Sequence, residues 1–388
     1  MSGDLSRRTF IERSTVGASA LAIGPAGVAG GYPANEKVNL GWIGFGNRAE
    51  RLFKFMKKHV PGARTAAVCD LKPERIEAGK KLAEDDRPAG YTDFRKMMDS
   101  EKLDGILVVT KGHQHAEVVV PVLWAGFHCF SEKPMDTTVG KIDAIVKAAR
   151  ISKGFYQIGI QRRYHPGFVS AMPMIHSGKF GKVTFMQGHW HWGWNTVATK
   201  VDGGNWWIVA QACHHTDVMN WAMGDKAPLS SVGMGYHQQN KLPNEYRETH
   251  CAVAFKYPGG PIFSYTLLFS LPQKFQDEKL WVFCEKAGFD LPRGMMYGRD
   301  KSEKRVGEDS FSKEKGGVDW NKGTIEELQD FVDNIKTGGK RKPKANVETG
   351  RISTLTAIMG RMAMIDLARN KYESRIIKWE DLGTTTDL

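Results

Sequence analysis

Nine residues near the start of the chain, Gly41-Trp42-Ile43-Gly44-Phe45-Gly46-Asn47-Arg48-Ala49, limit what it can fold into more than any other stretch. They follow a strand-like run, Lys37-Val38-Asn39-Leu40, and lead into a helix-like one, Glu50-Arg51-Leu52-Phe53-Lys54-Phe55. Gly44, Gly46 and Ala49 fit the spacing G-x-G-x-x-G/A. Between a strand and a helix, the first small residue permits a tight turn and the second lets the backbone approach a diphosphate. The third packs helix against strand. The helix N-terminus then offers unpartnered N–H groups to the phosphates. A chain with 42 glycines in 388 residues reaches that spacing by accident, so the residues that follow decide its meaning.

They form a second short apolar run, Arg64-Thr65-Ala66-Ala67-Val68-Cys69-Asp70, which closes on an acid 26 residues after Gly44. An acid there accepts the ribose hydroxyls of an adenosine, and no basic residue directly follows to receive a 2′-phosphate. Asp70 can also cap the helix that opens at Pro73-Glu74-Arg75. Strand, glycine turn, helix, strand and acid in this order predict a dinucleotide site that takes NAD rather than NADP.

From Lys37 to about Gly154 strand-like and helix-like runs alternate. Asp104-Gly105-Ile106-Leu107-Val108-Val109-Thr110 is apolar on both faces, as in a buried parallel strand. A helix from Gln114 to Ala125 and a last strand, His128-Cys129-Phe130-Ser131, complete a doubly wound sheet. Beyond Gly154 the period changes to two. Val183 to Trp194 alternates, Tyr257-Pro258-Gly259-Gly260-Pro261 joins strands Cys251 to Phe255 and Ile262 to Phe269, and Lys279 to Cys284 is a further strand. Two helices, Thr324 to Lys336 and Val347 to Ala368, close the chain. The expectation is an α/β protein: residues 36–154 form a Rossmann-type nucleotide domain, and residues 155–388 an α+β domain for substrate and oligomerisation, built on a large, mostly antiparallel sheet.

The first 31 residues read as a leader. Ser6-Arg7-Arg8-Thr9-Phe10-Ile11 is a twin-arginine pattern, followed by a mildly apolar run from Ser14 to Gly31 with a small-residue site near Gly27-Val28-Ala29. Glu12 stands where such leaders usually carry a base. The run is broken by Gly and Pro and is a poor membrane span. Export in the folded state to the periplasm suits an enzyme whose nucleotide must be loaded first. Five cysteines, Cys69, Cys129, Cys213, Cys251 and Cys284, are an odd number set in apolar segments, which argues against a disulfide framework. The formal charge of +12 is spread along the chain without arginine density or aromatic interleaving, which argues against a nucleic-acid partner.

Glu132-Lys133-Pro134 is the second anchor, because it closes the fifth strand at the end of the sheet where ligands bind. A lysine there can polarise a substrate hydroxyl and, with a depressed pKa, join in proton transfer. His189, His191, His214 and His215, with Cys213, contain the residue types of a zinc site. Alternation along a strand and adjacency along a helix point them to different places, so no metal is expected. Trp190, Trp192, Trp194, Trp206 and Trp207 suit either sugar stacking or core packing.

Over residues 37 to 380 the chain resembles the glucose-fructose oxidoreductase, inositol dehydrogenase and MocA family, usually written Gfo/Idh/MocA. The resemblance implies that Gly44, Gly46, Asn47, Arg48 and Ala49 bind NAD, and that Glu132 and Lys133 lie at the cofactor with Lys133 catalytic. The loop Thr110-Lys111-Gly112-His113-Gln114-His115 corresponds to a family Thr-Pro followed by a His, which puts Thr110 and His115 at the cofactor and Lys111 in place of Pro. Gln161-Arg162-Arg163-Tyr164 resembles the segment that lines the substrate pocket, and Arg163 and Tyr164 are expected there with Gln211 and His215. The family's Asp-x-x-x-His pair falls on Ala210 and His214. His214 is thereby the acid/base, and the acid one helical turn before it is absent.

The combined expectation is an exported, NAD-dependent oxidoreductase acting on a carbohydrate or polyol and assembling into homo-oligomers. Two rivals stand beside it: an NAD-dependent glycoside hydrolase working by transient oxidation and elimination, and a catalytically silent sugar-binding protein.

Overall fold

The computed structural model describes residues 36–193, 207–236, 250–309, 311–312, 317–318, 323–366 and 371–383. The leader, the segment around Gly203, and Trp194 and Trp206 lie outside these residues.

Six strands form the first sheet: β1 (Val38–Ile43), β2 (Ala63–Cys69), β3 (Ala89–Tyr91), β4 (Gly105–Val108), β5 (His128–Ser131) and β6 (Tyr156–Ile158). All pair in parallel, in the order β3-β2-β1-β4-β5-β6, so the order reverses between β1 and β4. Ligands bind at such a reversal, beyond the carboxyl ends of the strands. The sixth strand was not expected, because three residues after a helix carry no readable period.

Helices α1 (Asn47–His59), α2 (Pro73–Leu82), α3 (Phe94–Ser100), α4 (His115–Trp124) and α5 (Val139–Ile151) connect the strands. α1 forms where the sequence spaces Ala49, Leu52, Phe53 and Met56 onto one buried face, and it ends in a basic turn, Lys57, Lys58 and His59, that complements its dipole. Asp93 starts α3 by accepting the Arg95 N–H at 2.9 Å, and Thr138 starts α5 in the same way with Lys141.

The second sheet runs β7 (Val183–Gly193), β8 (Ser230–Tyr236), β9 (His250–Lys256), β10 (Ile262–Leu271), β11 (Asp277–Cys284), β12 (Ala287–Asp290), β13 (Met295–Gly298) and β14 (Glu303–Arg305). In space the order is β14-β13-β12-β11-β7-β10-β9-β8, with the late strand Ile376–Lys378 beside β8. Only the β7–β10 pair is parallel among these neighbours. Helices α6 (Pro166–His176) and α7 (Trp207–Ala222) precede most of this sheet, and α8 (Thr324–Lys336) and α9 (Val347–Met362) follow it.

α9 packs along α7 on the inner face of the second sheet, whereas α8 returns to the first. There Phe331 lies edge-on to Phe130 and Phe155, and Leu328, Val332 and Ile335 join Val38, Leu40 and Trp42 in one core. α9 stops at Met362, short of the expected Ala368. The Ala363 N–H bonds back to Met359, and Ile365–Asp366 instead pair with Lys371–Tyr372. All five cysteines are buried and free, and no described helix is long and apolar enough to cross a membrane.

Candidate active site

The glycine turn is held from both sides. Gly44 has φ +83, and a Cβ there would stand 2.8 Å from the Val109 carbonyl oxygen, so no larger residue fits between β1 and the end of β4. Its N–H donates to Cys69 O at 2.8 Å, and the next N–H, of Phe45, donates to Asp70 Oδ2 at 2.8 Å. Asp70 is nearly buried, takes the Lys72 N–H on Oδ1 at 3.0 Å, and has the Arg75 guanidinium 3.6 Å from Oδ2. Gly46 precedes α1 without a side-chain cap among the described residues, leaving the helix N–H groups open to an anion.

Glu132 links this turn to the second anchor. Its Oε1 accepts from Arg48 Nε at 2.5 Å and its Oε2 from the Lys133 N–H at 3.0 Å. Burial alone would raise the Glu132 carboxyl, but Arg48 and Lys133 more than offset it and hold the group ionised. Lys133 extends to α7, where its ammonium donates to the Ala210 carbonyl at 2.6 Å. Its pKa is drawn below the ordinary lysine value by desolvation, against the pull of Cys213 and Glu132.

One turn along α7 is His214, almost wholly buried, with Nδ1 lacking a hydrogen-bond partner among the described residues. Burial first, then the Lys133 and Arg162 cations, keep its pKa well below the ordinary histidine value, so the imidazole is neutral. Lys133 and His214 therefore converge from different domains. The side chain between them that the family pattern would make an acid is Ala210, and its main-chain carbonyl holds the lysine instead.

Other expected residues lie elsewhere. His115 is buried as a brace, with Nδ1 2.7 Å from Pro134 O and Nε2 3.3 Å from Thr110 O. Thr110 Oγ1 is buried without a hydrogen-bond partner among the described residues, just after β4. Arg163, expected at substrate, is buried against Asp217 at 2.8 Å and Asp225 at 2.6 Å, beneath Trp221. Tyr164 donates to Asp330 Oδ2 at 3.0 Å. His215 points into the second sheet, bonded to Tyr265 Oη at 2.7 Å and Glu278 Oε1 at 2.5 Å. These three are fixed by internal bonds because neighbours far along the chain supply their partners. Gln211, next to Ala210 on α7, stays partly exposed.

Arg162, next to the residue chosen from sequence, is the one nearer His214. It bonds Glu278 and lies over the Trp190 ring at 5.4 Å. The paired arginines were visible in the sequence; which of them turns inward was not. Trp190 and Trp192 share one face of β7 with centroids 5.1 Å apart. His189 and His191 stack at 4.3 Å on the other, bonded to Asp277 and Thr266. Among the described residues no three metal-ligating side chains gather at one point.

The model of an oxidoreductase family with an NAD-binding Rossmann fold matches residues 38–160, and that of a GFO/IDH/MocA C-terminal domain matches residues 168–290. The chain belongs to the Gfo/Idh/MocA family. It is 26% identical over 304 residues to an inositol 2-dehydrogenase of Salmonella typhimurium, covering 77% of this chain and 86% of that one. Glycosyl hydrolase family 109 protein 1 of Bacteroides thetaiotaomicron is 24% identical over 247 residues, 60% of this chain and 49% of that one. In fold the present chain is similar to the myo-inositol dehydrogenase of Lactobacillus casei in complex with NAD(H) and myo-inositol. The TM-score there is 0.71 at 20% identity, covering 88% of this chain and 97% of that one. The protein is thus an NAD-dependent oxidoreductase, and the Gly44 cradle, the uncapped start of α1, the orphaned Thr110 hydroxyl and the Asp70 carboxylate fit that cofactor.

Proposed function

We propose that the protein oxidises a ring carbinol of a polyol or free sugar, with Lys133 and His214 at the reacting oxygen. The 2.6 Å bond from Lys133 to Ala210 O carries this reading, because it ties the lysine at the end of β5 to the helix that bears His214. Relatives named inositol dehydrogenases support the substrate class. When bound, the nicotinamide supplies the hydride acceptor. Lys133 polarises the hydroxyl, neutral His214 takes its proton on Nδ1, and Gln211 hydrogen-bonds a neighbouring hydroxyl. Arg48 and the N-terminus of α1 hold the diphosphate, and Asp70 the adenosine ribose.

The leader supports a periplasmic location, where a nicotinamide held through each turnover and recycled by a second sugar suits the lack of a soluble pool. The outer face of the second sheet exposes Phe185, Val232, Met234, Ile262, Tyr297 and Ile376, and a second copy of the chain would cover it. The test is the purified mature protein: released dinucleotide after denaturation, then oxidation of a panel of polyols and aldoses. Absence of both bound NAD and affinity for it would defeat the reading.

Ala210 favours one alternative. A transient oxidation that ends in glycosidic elimination and water addition needs no net hydride export, and a relative named as a glycosyl hydrolase shares the fold family. With glycosides in heavy water, deuterium at the carbon beside the oxidised one, with released aglycone and no NADH, would establish that course.

A further inference from the structure

Trp190 stands beside His214 without a part in the chemistry above. Its side chain, 5% exposed, leaves β7 on the face that α7 covers. The register of the sheet chooses its neighbours there. Glu278 of β11 lies directly opposite Trp190, and Tyr265 of β10 lies opposite Gly188, two residues back on the same face. α7 and the short helix Gln161–Tyr164 then bring up their own side chains. The His215 ring lies 5.1 Å from the indole at 57°, and Arg162 Cζ lies 5.4 Å over it. Glu278 Oε1 ties these two together, since it accepts from Arg162 Nη2 and lies 2.5 Å from His215 Nε2. His215 Nδ1 in turn lies 2.7 Å from Tyr265 Oη. Guanidinium, carboxyl, imidazole and phenol form one bonded, buried chain against the indole.

His214 meets the same indole. The two rings lie 6.2 Å apart at 57°, within the range of aromatic pairs. His214 Nδ1 has no hydrogen-bond partner among the described residues, and Ala210, one turn earlier on α7, presents only a methyl group. The outer torsion of a histidine is broad and roughly two-fold. An imidazole not bonded at Nδ1 therefore turns over at little cost unless packing prevents it, and each turn exchanges a nitrogen for a carbon at the reacting position. His215, the next residue, is held at both nitrogens and needs no such packing.

We propose that Trp190 is the positioning residue of His214: its indole, clamped by the chain of Arg162, Glu278, His215 and Tyr265, fixes the plane of an imidazole that carries no hydrogen bond at Nδ1. The inference rests on the oxidoreductase reading and deepens it. A general base needs a free lone pair on the nitrogen that takes the substrate proton, and a stacked ring fixes the imidazole without occupying that lone pair. Trp190 acts through His214 and takes no proton itself.

The test joins kinetics to magnetic resonance on the whole protein, using Trp190→Leu, Trp190→Phe, His214→Ala and the double variant Trp190→Leu/His214→Ala. With polyol and NAD, Trp190→Leu lowers kcat by about tenfold to a hundredfold, with the KM for polyol and the Kd for NAD within about threefold of their starting values. Trp190→Phe keeps an aromatic face toward His214 and restores most of the rate. In the His214→Ala background, Trp190→Leu lowers the residual rate by less than about twofold, because a residue that acts through another has nothing left to position. In protein labelled at histidine, the ring resonances of His214, assigned by their loss in His214→Ala, form one sharp set. In Trp190→Leu they split or broaden, while those of His215, bonded at both nitrogens, stay single. If Trp190→Leu does not fold, Trp190→Met serves in its place. A single sharp His214 set without the indole, or an equal loss of rate with and without His214, would overturn the proposal. A protein that binds NAD but oxidises no polyol would defeat the functional reading, and the His214 resonances would still decide whether Trp190 fixes the ring.

Discussion

Asp70→Asn separates the two tasks that one carboxylate performs. Oδ2 receives the Phe45 N–H at 2.8 Å and shapes the glycine turn; in the function proposed above the same group accepts the adenosine ribose hydroxyls. Asn keeps one carbonyl oxygen for Phe45, so the turn survives. Hydrogen bonds to a charged acceptor contribute about 1.5–3 kcal/mol and neutral ones about 0.5–1.5, so two ribose hydroxyls lose about 2 kcal/mol together. That is a rise of about thirtyfold in the Kd for NAD. For NADP the sign reverses, because the like charge beside the 2′-phosphate is gone and Arg75, now 3.6 Å from Asp70 Oδ2, meets the phosphate unopposed. The NADP-to-NAD ratio of Kd values is therefore expected to fall by about a hundredfold in calorimetric titrations. Asp70→Ala is the control: it strands the buried Phe45 N–H, lowers stability by about 1–3 kcal/mol and weakens both cofactors. An unmodified protein that binds NAD and NADP equally, or an Asp70→Asn ratio that does not move, refutes the reasoning.

Lys133→Ala should keep the Kd for NAD and lower turnover by about 10²- to 10⁴-fold; a loss under tenfold in steady-state assays would place the chemistry elsewhere. Arg163→Ala leaves Asp217 buried and unpaired, and should cost about 3–5 kcal/mol in denaturant unfolding, whereas a loss below 1 kcal/mol would mean that Asp217 finds another partner. Burial pushes Asp217 up to about 6 in the folded protein even with Arg163 beside it. Because that lies above the unfolded value, its contribution to stability is complete below about pH 4 and is lost as pH rises to about 6, and Asp217→Asn should remove that part of the stability profile.

Much of the first sheet was legible because each element carries its own signal. Gly44, Gly46 and Asp70 announce turn and acid by local spacing, and the all-apolar β4 announces burial on both faces. The second sheet was legible through the alternation of β7 and β11 and the glycine turn at Gly259. What escaped depends on partners far along the chain. Arg163, Tyr164 and His215 have the chemistry of a sugar pocket, but Asp217, Asp330 and Glu278 claim them, and periodicity reports burial without naming the neighbour. His115 was placed at the cofactor by analogy, and its contact with Pro134 O could not be read from the sequence. Glu327 reads as one more charge in the first turn of an amphipathic helix; only the return of α8 to the first sheet encloses it.

The measurement that bears most directly on the whole account uses a polyol deuterated at each carbinol carbon, incubated with the purified protein and NAD, followed by mass analysis of cofactor and sugar. Transfer of one deuterium to the nicotinamide, with a ketone appearing on the polyol in equal amount and both lost in Lys133→Ala, is the predicted result. Cleavage of glycosides with no deuterium in the recovered cofactor and no ketone from any polyol would contradict it.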